Sequence, residues 1–456
     1  MSFEHFQRPN PASRPAPAGA GLRRGTAVMF VCAACWFPAA EAAEPWTFEQ
    51  AVSFALTNSP DARIAQQRIA AARAGIAQAD AAVWPKLQFQ SSYGWTDNPM
   101  LAFGAILNQR AFSPSLDFND VPSTDNLNLR GVVTAPLYAG GQIRAGRTAA
   151  RAGAQAAAWE AEAVRSTLGF EVARAFHTVL KTRAFIQATE AAVNGYEQNV
   201  NVARKRYQAG TLLRADLLDV EVRLAQSRED LVRARNAEAL AERALRNLLG
   251  VETPGFAVAN TVPEFLPPAA AASPAQRPEL LALRQRELAA EAAVRGARGG
   301  YLPKLSAFGS LDYDRGWETG GDGGSYAAGA LLQFDLWDGK LTRAKVSEAR
   351  ARLEEIQEEH RKWRLAIDLE VEQARLNLEE ARARLAVTDT AISQAQESVE
   401  LTRARFEQGL ALATQLIDAE TALTGARVRR AEAEADRRIA VAALRRALGL
   451  PQLEPR

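Results

Sequence analysis

Apolar positions along this chain recur with two different periods, and each period occurs twice. From Val371 onward, Ala374, Leu378, Ala381, Leu385, Thr388, Ile392, Ala395, Val399, Thr402 and Phe406 step by three and four, the spacing of a coiled-coil seam. Shifting back by 371 − 172 = 199 positions gives Val172, Ala175, Val179, Thr182, Ile186, Thr189, Val193, Tyr196, Val200, Ala203 and Tyr207. The pattern predicts two helices of about 65 residues, each about 100 Å long at 1.5 Å per residue.

Ahead of each long helix the period drops to two. Leu87, Phe89, Ser91, Tyr93 and Trp95 alternate with Lys86, Gln88, Gln90 and Ser92, and Leu127, Leu129, Val133, Ala135 and Leu137 alternate with Asn126, Asn128, Arg130 and Thr134. Such alternation predicts strands with one apolar and one wet face. Strands are expected at 86–96 and 126–138, and again, less cleanly patterned, at 304–314 and 325–337. A long loop is expected over 96–125, with Pro99, Pro114 and Pro122, whereas 315–325 is a short Gly-rich turn.

The two periods belong to one duplicated unit. Residues Arg206 to Gly250 (RYQAGTLLRADLLDVEV…ALRNLLG) reappear without a gap at Arg405 to Gly449 (RFEQGLALATQLIDAET…ALRRALG), and such internal repetition decides the architecture before any local detail does. Ahead of the strands, Pro60 and Pro85 have counterparts in Pro278 and Pro303, since both differ by 218. The expected organisation is a first repeat over 44–250 with a helical hairpin at 140–249, a Pro-rich and Ala-rich linker over 251–275, and a second repeat over 276–456 with a hairpin at 339–448. Gly210 and Gly409 break the helices at the hairpin turns.

Composition adds an address. Arg23-Arg24, the apolar run 27–34 and the small residues Ala40 and Ala42 form the grammar of a secretory signal over 1–43. Cys32 and Cys35, the two cysteines of the chain, fall in that segment, so no disulfide is expected in the exported protein. Cys35 is a poor lipid-attachment site, because Cys32 stands where a lipobox has Leu. Beyond the leader, no run reaches the roughly 18 apolar residues of a spanning helix. The 456 residues carry a formal net charge of +2 with both signs interspersed, which is no footprint for nucleic acid.

Catalytic chemistry finds no foothold. The three histidines, His5, His177 and His360, are scattered, whereas metal sites need clustered ligands. There is no phosphate loop, nucleophile elbow or Cys pair, so neither an enzyme nor a cofactor-binding protein is expected. Asp216 and Asp219, three apart after the first turn, share a helix face. Their counterparts by the 199-residue shift are Gln415 and Asp418. Such carboxylates also serve simply as favourable charges at a helix N-terminus.

Four amphipathic strands cannot close a membrane barrel, which needs about eight or more. The chain must either join other copies through its sheet or use the sheet away from a membrane, packed on its own helices in a periplasmic α+β protein. A third possibility is a periplasmic coiled-coil adaptor, but such a chain has one hairpin between lipoyl-like and barrel domains, not two hairpins separated by strand pairs.

Taken in order and twice over, Trp84-Pro85-Lys86-Leu87 and Leu302-Pro303-Lys304-Leu305, Ala135-Pro136-Leu137-Tyr138-Ala139-Gly140-Gly141, and the turns Tyr207-Gln208-Ala209-Gly210 and Phe406-Glu407-Gln408-Gly409 resemble the TolC family of outer-membrane efflux proteins. The resemblance covers nearly all of 45–450. It implies an α+β membrane protein acting as a homotrimer, with a 12-stranded β-barrel in outer-membrane lipid, four strands per protomer, above a long α-helical coiled-coil tunnel. It implies a passive exit duct of a tripartite efflux or type I secretion system, served by a periplasmic adaptor (membrane fusion) protein and an inner-membrane pump of RND or ABC type. In the family the second-unit turn carries two Asp rings that narrow the entrance. Asp418 matches one, Gln415 departs from the other, and Asp216 and Asp219 are their first-repeat counterparts. Docking of the adaptor carries over to the turn residues Tyr207, Gly210, Thr211 and Leu212 and to Phe406, Gly409 and Leu410.

Overall fold

The computed structural model describes residues 45–117, 119–252, 257–261, 267–268 and 273–453. The segment expected to be a leader, with His5, Cys32 and Cys35, and parts of the expected linker lie outside them. Among the described residues the order is α1 (Phe48–Asn58), α2 (Pro60–Ala81), β1 (Lys86–Thr96), α3 (Pro99–Asn108), β2 (Thr124–Ala139), α4 (Gln142–Gln208) and α5 (Arg214–Leu249). The second repeat follows with α6 (Pro278–Arg298), β3 (Lys304–Arg315), β4 (Asp322–Gln333), α7 (Leu341–Glu407) and α8 (Ala413–Ala447).

Helix boundaries follow local chemistry. Thr47 and Gln50 form a capping box ahead of α1, and the Ser59 hydroxyl accepts the Ala62 amide ahead of Pro60 in α2, satisfying donors that a helix start leaves orphaned. α4 and α7 are both 67 residues long. Each folds back on a partner, α4 on α5 and α7 on α8, and the two hairpins join through α4 and α8. At the end of the body near α1, Phe48 and Val52 pack with Val172 and Phe176 of α4 and with Leu245 and Leu249 of α5. Arg277, ahead of α6, is buried and pairs with Glu279 and Glu370, both at 2.6 Å, fixing the start of the second repeat to α7.

The strands form one antiparallel sheet in the order β1-β2-β3-β4. Register puts Leu87 opposite Val133, Tyr93 opposite Leu127, Leu129 opposite Tyr313 and Leu311 opposite Tyr326. Because side chains alternate between faces, these all lie on one side, and Leu87, Phe89, Tyr93, Leu311 and Tyr326 are exposed. Gln90, Arg130 and Asp312 share the other side. There the Asp314 carboxylate accepts from Asn126 at 2.6 Å and from Asn128 at 3.0 Å.

Three expectations change. The sheet does not pack on the long helices; the one helix making substantial contact with it is α3, so the reading in which the helices bury its apolar face fails. The connection 96–125 is not irregular throughout. The Asn98 side chain accepts from the Met100 and Leu101 amides, Pro99 occupies the first turn, and Ala102 and Ile106 bury against Val121, so a proline suggestive of a loop opens a helix instead. Strand β4 runs Asp322–Gln333 rather than 325–337, because β3 begins at Lys304, opposite Gln333, and offers nothing further to pair.

Candidate functional site: the paired hairpin turns

Both hairpins end in the same turn. Gly210 at φ +70° and Gly409 at φ +83° adopt the left-handed conformation that glycine reaches without steric cost. The Gly210 amide donates to the Tyr207 carbonyl at 3.0 Å and Thr211 to Arg206 at 2.9 Å; Gly409 donates to Phe406 at 3.0 Å and Leu410 to Arg405 at 2.8 Å. These bonds satisfy the last carbonyls of α4 and α7. The tips beyond them are apolar and open: Leu410 is 73 % exposed, and Leu213 and Leu412 are similarly bare.

The turns meet across a cleft of about 520 Å³ lined by Arg206, Thr211, Leu212 and Asp216 from one hairpin and Gly409, Leu410 and Gln415 from the other. Arg206 crosses it. Its Nη1 donates to the Phe406 carbonyl at 2.7 Å, its Nη2 donates to the Thr211 carbonyl at 3.1 Å, and its guanidinium carbon stands 4.8 Å from the Phe406 ring centroid. A cation at the end of α7 meets the negative pole of that helix and the ring quadrupole together. Phe406 itself is fully buried with Val200, Ala203, Leu217 and Leu416.

The four acidic-face positions separate. Asp216 and Gln415 line the cleft together, while Asp219 and Asp418 are exposed and lie outside its lining. Gln415 accepts the Leu412 amide at 3.1 Å, so it caps its own helix. Tyr207 is partly exposed, unlike its counterpart Phe406.

One group deeper in the bundle escapes sequence reasoning. Glu420 of α8 is 4 % exposed, and its Oε1 accepts from Asn199 of α4 at 3.0 Å and from Arg403 of α7 at 2.5 Å. Tyr196 and Thr421 pair through their hydroxyls at 3.0 Å one turn away, and burial raises the Tyr196 pKa against the opposing Thr421 bond. Three helices from both hairpins thus meet at one carboxylate. The repeat carries the same pair at Arg204 and Glu221, which bond at 2.9 Å, but nothing in the sequence marks Glu420 as the buried one. Higher up, His177 of α4 is buried and its pKa is lowered to about 4, by burial first and by the nearby Arg438 charge second.

A family model described as outer membrane efflux protein matches residues 51–251 and 272–450, both repeats on either side of the linker. The chain belongs to the outer membrane efflux protein family. Members of this family are channels rather than enzymes, and the place of this one is the outer membrane. It is 25 % identical over 299 residues to the outer membrane protein OprJ of Pseudomonas aeruginosa, an alignment spanning 63 % of this chain and 62 % of that protein. It is also 25 % identical over 304 residues to the outer membrane protein TolC of Vibrio cholerae, spanning 63 % of this chain and 68 % of that one. Against the solved outer membrane protein VceC of Vibrio cholerae the TM-score is 0.74 at 21 % identity, over 88 % of this chain and 96 % of that one. That likeness fixes the fold of this efflux-family chain: paired long hairpins carrying a four-stranded sheet.

Proposed function

We propose that three copies of this chain close their sheets into a 12-stranded barrel in the outer membrane and their hairpins into a tunnel beneath it, forming a passive exit duct. The observation that carries this reading is the sheet itself. Its four strands of 11 to 16 residues suffice to cross a bilayer, for which a tilted strand needs about 9–11. One face is apolar and exposed, and β1 and β4 have unpaired edges, which lipid does not tolerate unless the sheet closes. No helix among the described residues is long and apolar enough to cross a membrane, so the sheet is the element suited to that task.

In this reading the hairpin turns form the periplasmic entrance. The bare apolar tips around Leu212 and Leu410 offer the surface on which an adaptor would dock, and an inner-membrane pump of RND or ABC type would supply the energy. Asp418 of each copy would form an acidic ring, with Asp216, Asp219 and Gln415 nearby. Purified protein in planar bilayers tests the reading: a trimer by native mass with discrete, cation-preferring conductance supports it, and a trimer without conductance sinks it. Asp418→Ala is expected to reduce the cation preference, and an unchanged preference removes the acidic ring from the proposal.

A further inference from the structure

A basic cleft opens between α4 and α8, with Ile392 of α7 and Asn260 at its border, and encloses about 480 Å³, within the size range of small-molecule sites. Its walls are short and apolar: α4 contributes Ala184, Ala188 and Ala191, and α8 contributes Ala431 and Ala435. At its edge lies His177, 3 % exposed, with its ring 5.7 Å from that of Phe48 and its Nδ1 buried without a hydrogen-bond partner among the described residues.

Five cationic residues line the cleft, and three of them are neutralised. Arg183 pairs with Glu238 at 2.9 Å and Glu242 at 2.8 Å, Arg430 with Asp389 at 2.6 Å, and Arg438 with Glu434 at 2.8 Å. Lys181 of α4 and Arg427 of α8 are left over. Both are half-buried, and neither has an ion pair or side-chain hydrogen bond among the described residues. A half-buried cation has given up part of its hydration, and here no counter-charge offsets that cost.

The duplication shows that the fold does not require this arrangement. Arg228, the counterpart of Arg427 by the 199-residue shift, pairs with Glu197 at 2.8 Å. The second repeat has Gln396 in the place of Glu197, so Arg427 lacks the carboxylate that its counterpart holds. The shifted positions also carry Glu380 for Lys181, Leu231 for Arg430 and Ala239 for Arg438, with the larger Val387 and Val232 for Ala188 and Ala431. Room and positive charge are thus combined at one hairpin junction and not at the matching positions of the other repeat.

We propose that this cleft binds an organic anion, a carboxylate on a compact apolar body, with its head held by Lys181 and Arg427 and its body against the alanines. The planar fork of Arg427 matches a carboxylate, and Lys181 adds a second charge. An inorganic anion would leave the apolar walls unused. Every lining residue comes from one chain, so the site stands whether or not copies assemble into a duct.

The probe is 1-naphthoate, titrated calorimetrically into the full chain in lipid nanodiscs, with empty nanodiscs subtracted. Saturable binding is expected, weakening with added salt. In Lys181→Gln/Arg427→Gln, which removes no contact within the chain, binding should weaken about tenfold or more, as the loss of charge-assisted hydrogen bonds requires. Ala431→Phe keeps every cation but fills the cleft, and should abolish binding at an unchanged native mass; it carries the test alone if the double variant does not fold. Parent-like affinity in either folded variant overturns the site. Equal affinity for the neutral 1-naphthamide overturns the anionic head, and displacement of naphthoate by equimolar inorganic sulfate overturns the apolar half of the proposal.

Discussion

The Arg206 guanidinium grips Phe406 twice, donating to its carbonyl at 2.7 Å and lying 4.8 Å from its ring centre. It is the tie between the two turns inside one chain. Arg206→Ala is expected to loosen the turns and raise the bilayer conductance of the pure protein severalfold. Arg206→Lys keeps the charge but not the planar fork, so an intermediate conductance is expected; equal conductance for all three forms counts against the tie.

Glu420 is the deeper tie, and its loss should be felt as stability. Removing the carboxylate strands Asn199 and Arg403, and breaking a buried pair costs about 3–5 kcal/mol; the partial exposure of Arg403 reduces that to about 2–3 kcal/mol. Thermal unfolding of Glu420→Ala should show a lower Tm, with Glu221→Ala, at the more exposed counterpart, changing it much less. Equal losses would mean that burial at α4 adds nothing to the pair.

His177 gives the body a pH dependence. In the folded chain its pKa is about 4, and unfolded it returns to about 6.5, so as pH falls below about 6.5 the unfolded state takes up the proton first. Its contribution is complete above about 6.5 and is lost progressively as the pH drops to about 4. At one pKa unit per 1.36 kcal/mol the full span is about 3 kcal/mol. Denaturation midpoints of His177→Gln measured from pH 7 to pH 4 should fall less steeply than those of the parent, and parallel curves would exclude His177 as the source.

The helices and strands were legible because their periods are long and duplicated. The seam from Val172 to Ala203 reads directly as buried or half-buried positions in α4, and Leu87 to Trp95 reads as one face of β1. What could not be read were contacts between distant segments. Asp216 and Gln415 look like matched positions of a shared acidic site, yet Gln415 is engaged by its own helix start. Glu420 is one of many glutamates in a charged helix, and only the packing of α4 against α8 sets it apart. The prolines of 96–125 suggest a loop, while Asn98 as a cap ahead of Pro99 makes one of them the beginning of α3.

α3 is pinned by Gln109, whose Nε2 donates to the Asp125 carbonyl at 2.7 Å and to Asn126 Oδ1 at 2.9 Å, and whose Oε1 accepts from Thr319 at 2.5 Å. Asn126 lies on the polar face of the sheet, so α3 is tied to that side. Gln109→Ala should release the segment, and trypsin cleavage after the adjacent Arg110, followed by mass spectrometry, should accelerate severalfold. Unchanged cleavage would show that the Ala102 and Ile106 packing holds α3 unaided.

The equal length of α4 and α7 has a consequence for how such a chain can change over generations. Inserting one heptad into α4 alone would carry its turn about 10 Å past that of α7, beyond the reach of any arginine, and the two tips would no longer stand level. Gains or losses of length in the hairpins are therefore expected in both repeats together, whereas the 96–125 connection, present at length in one repeat, changes length without moving either tip.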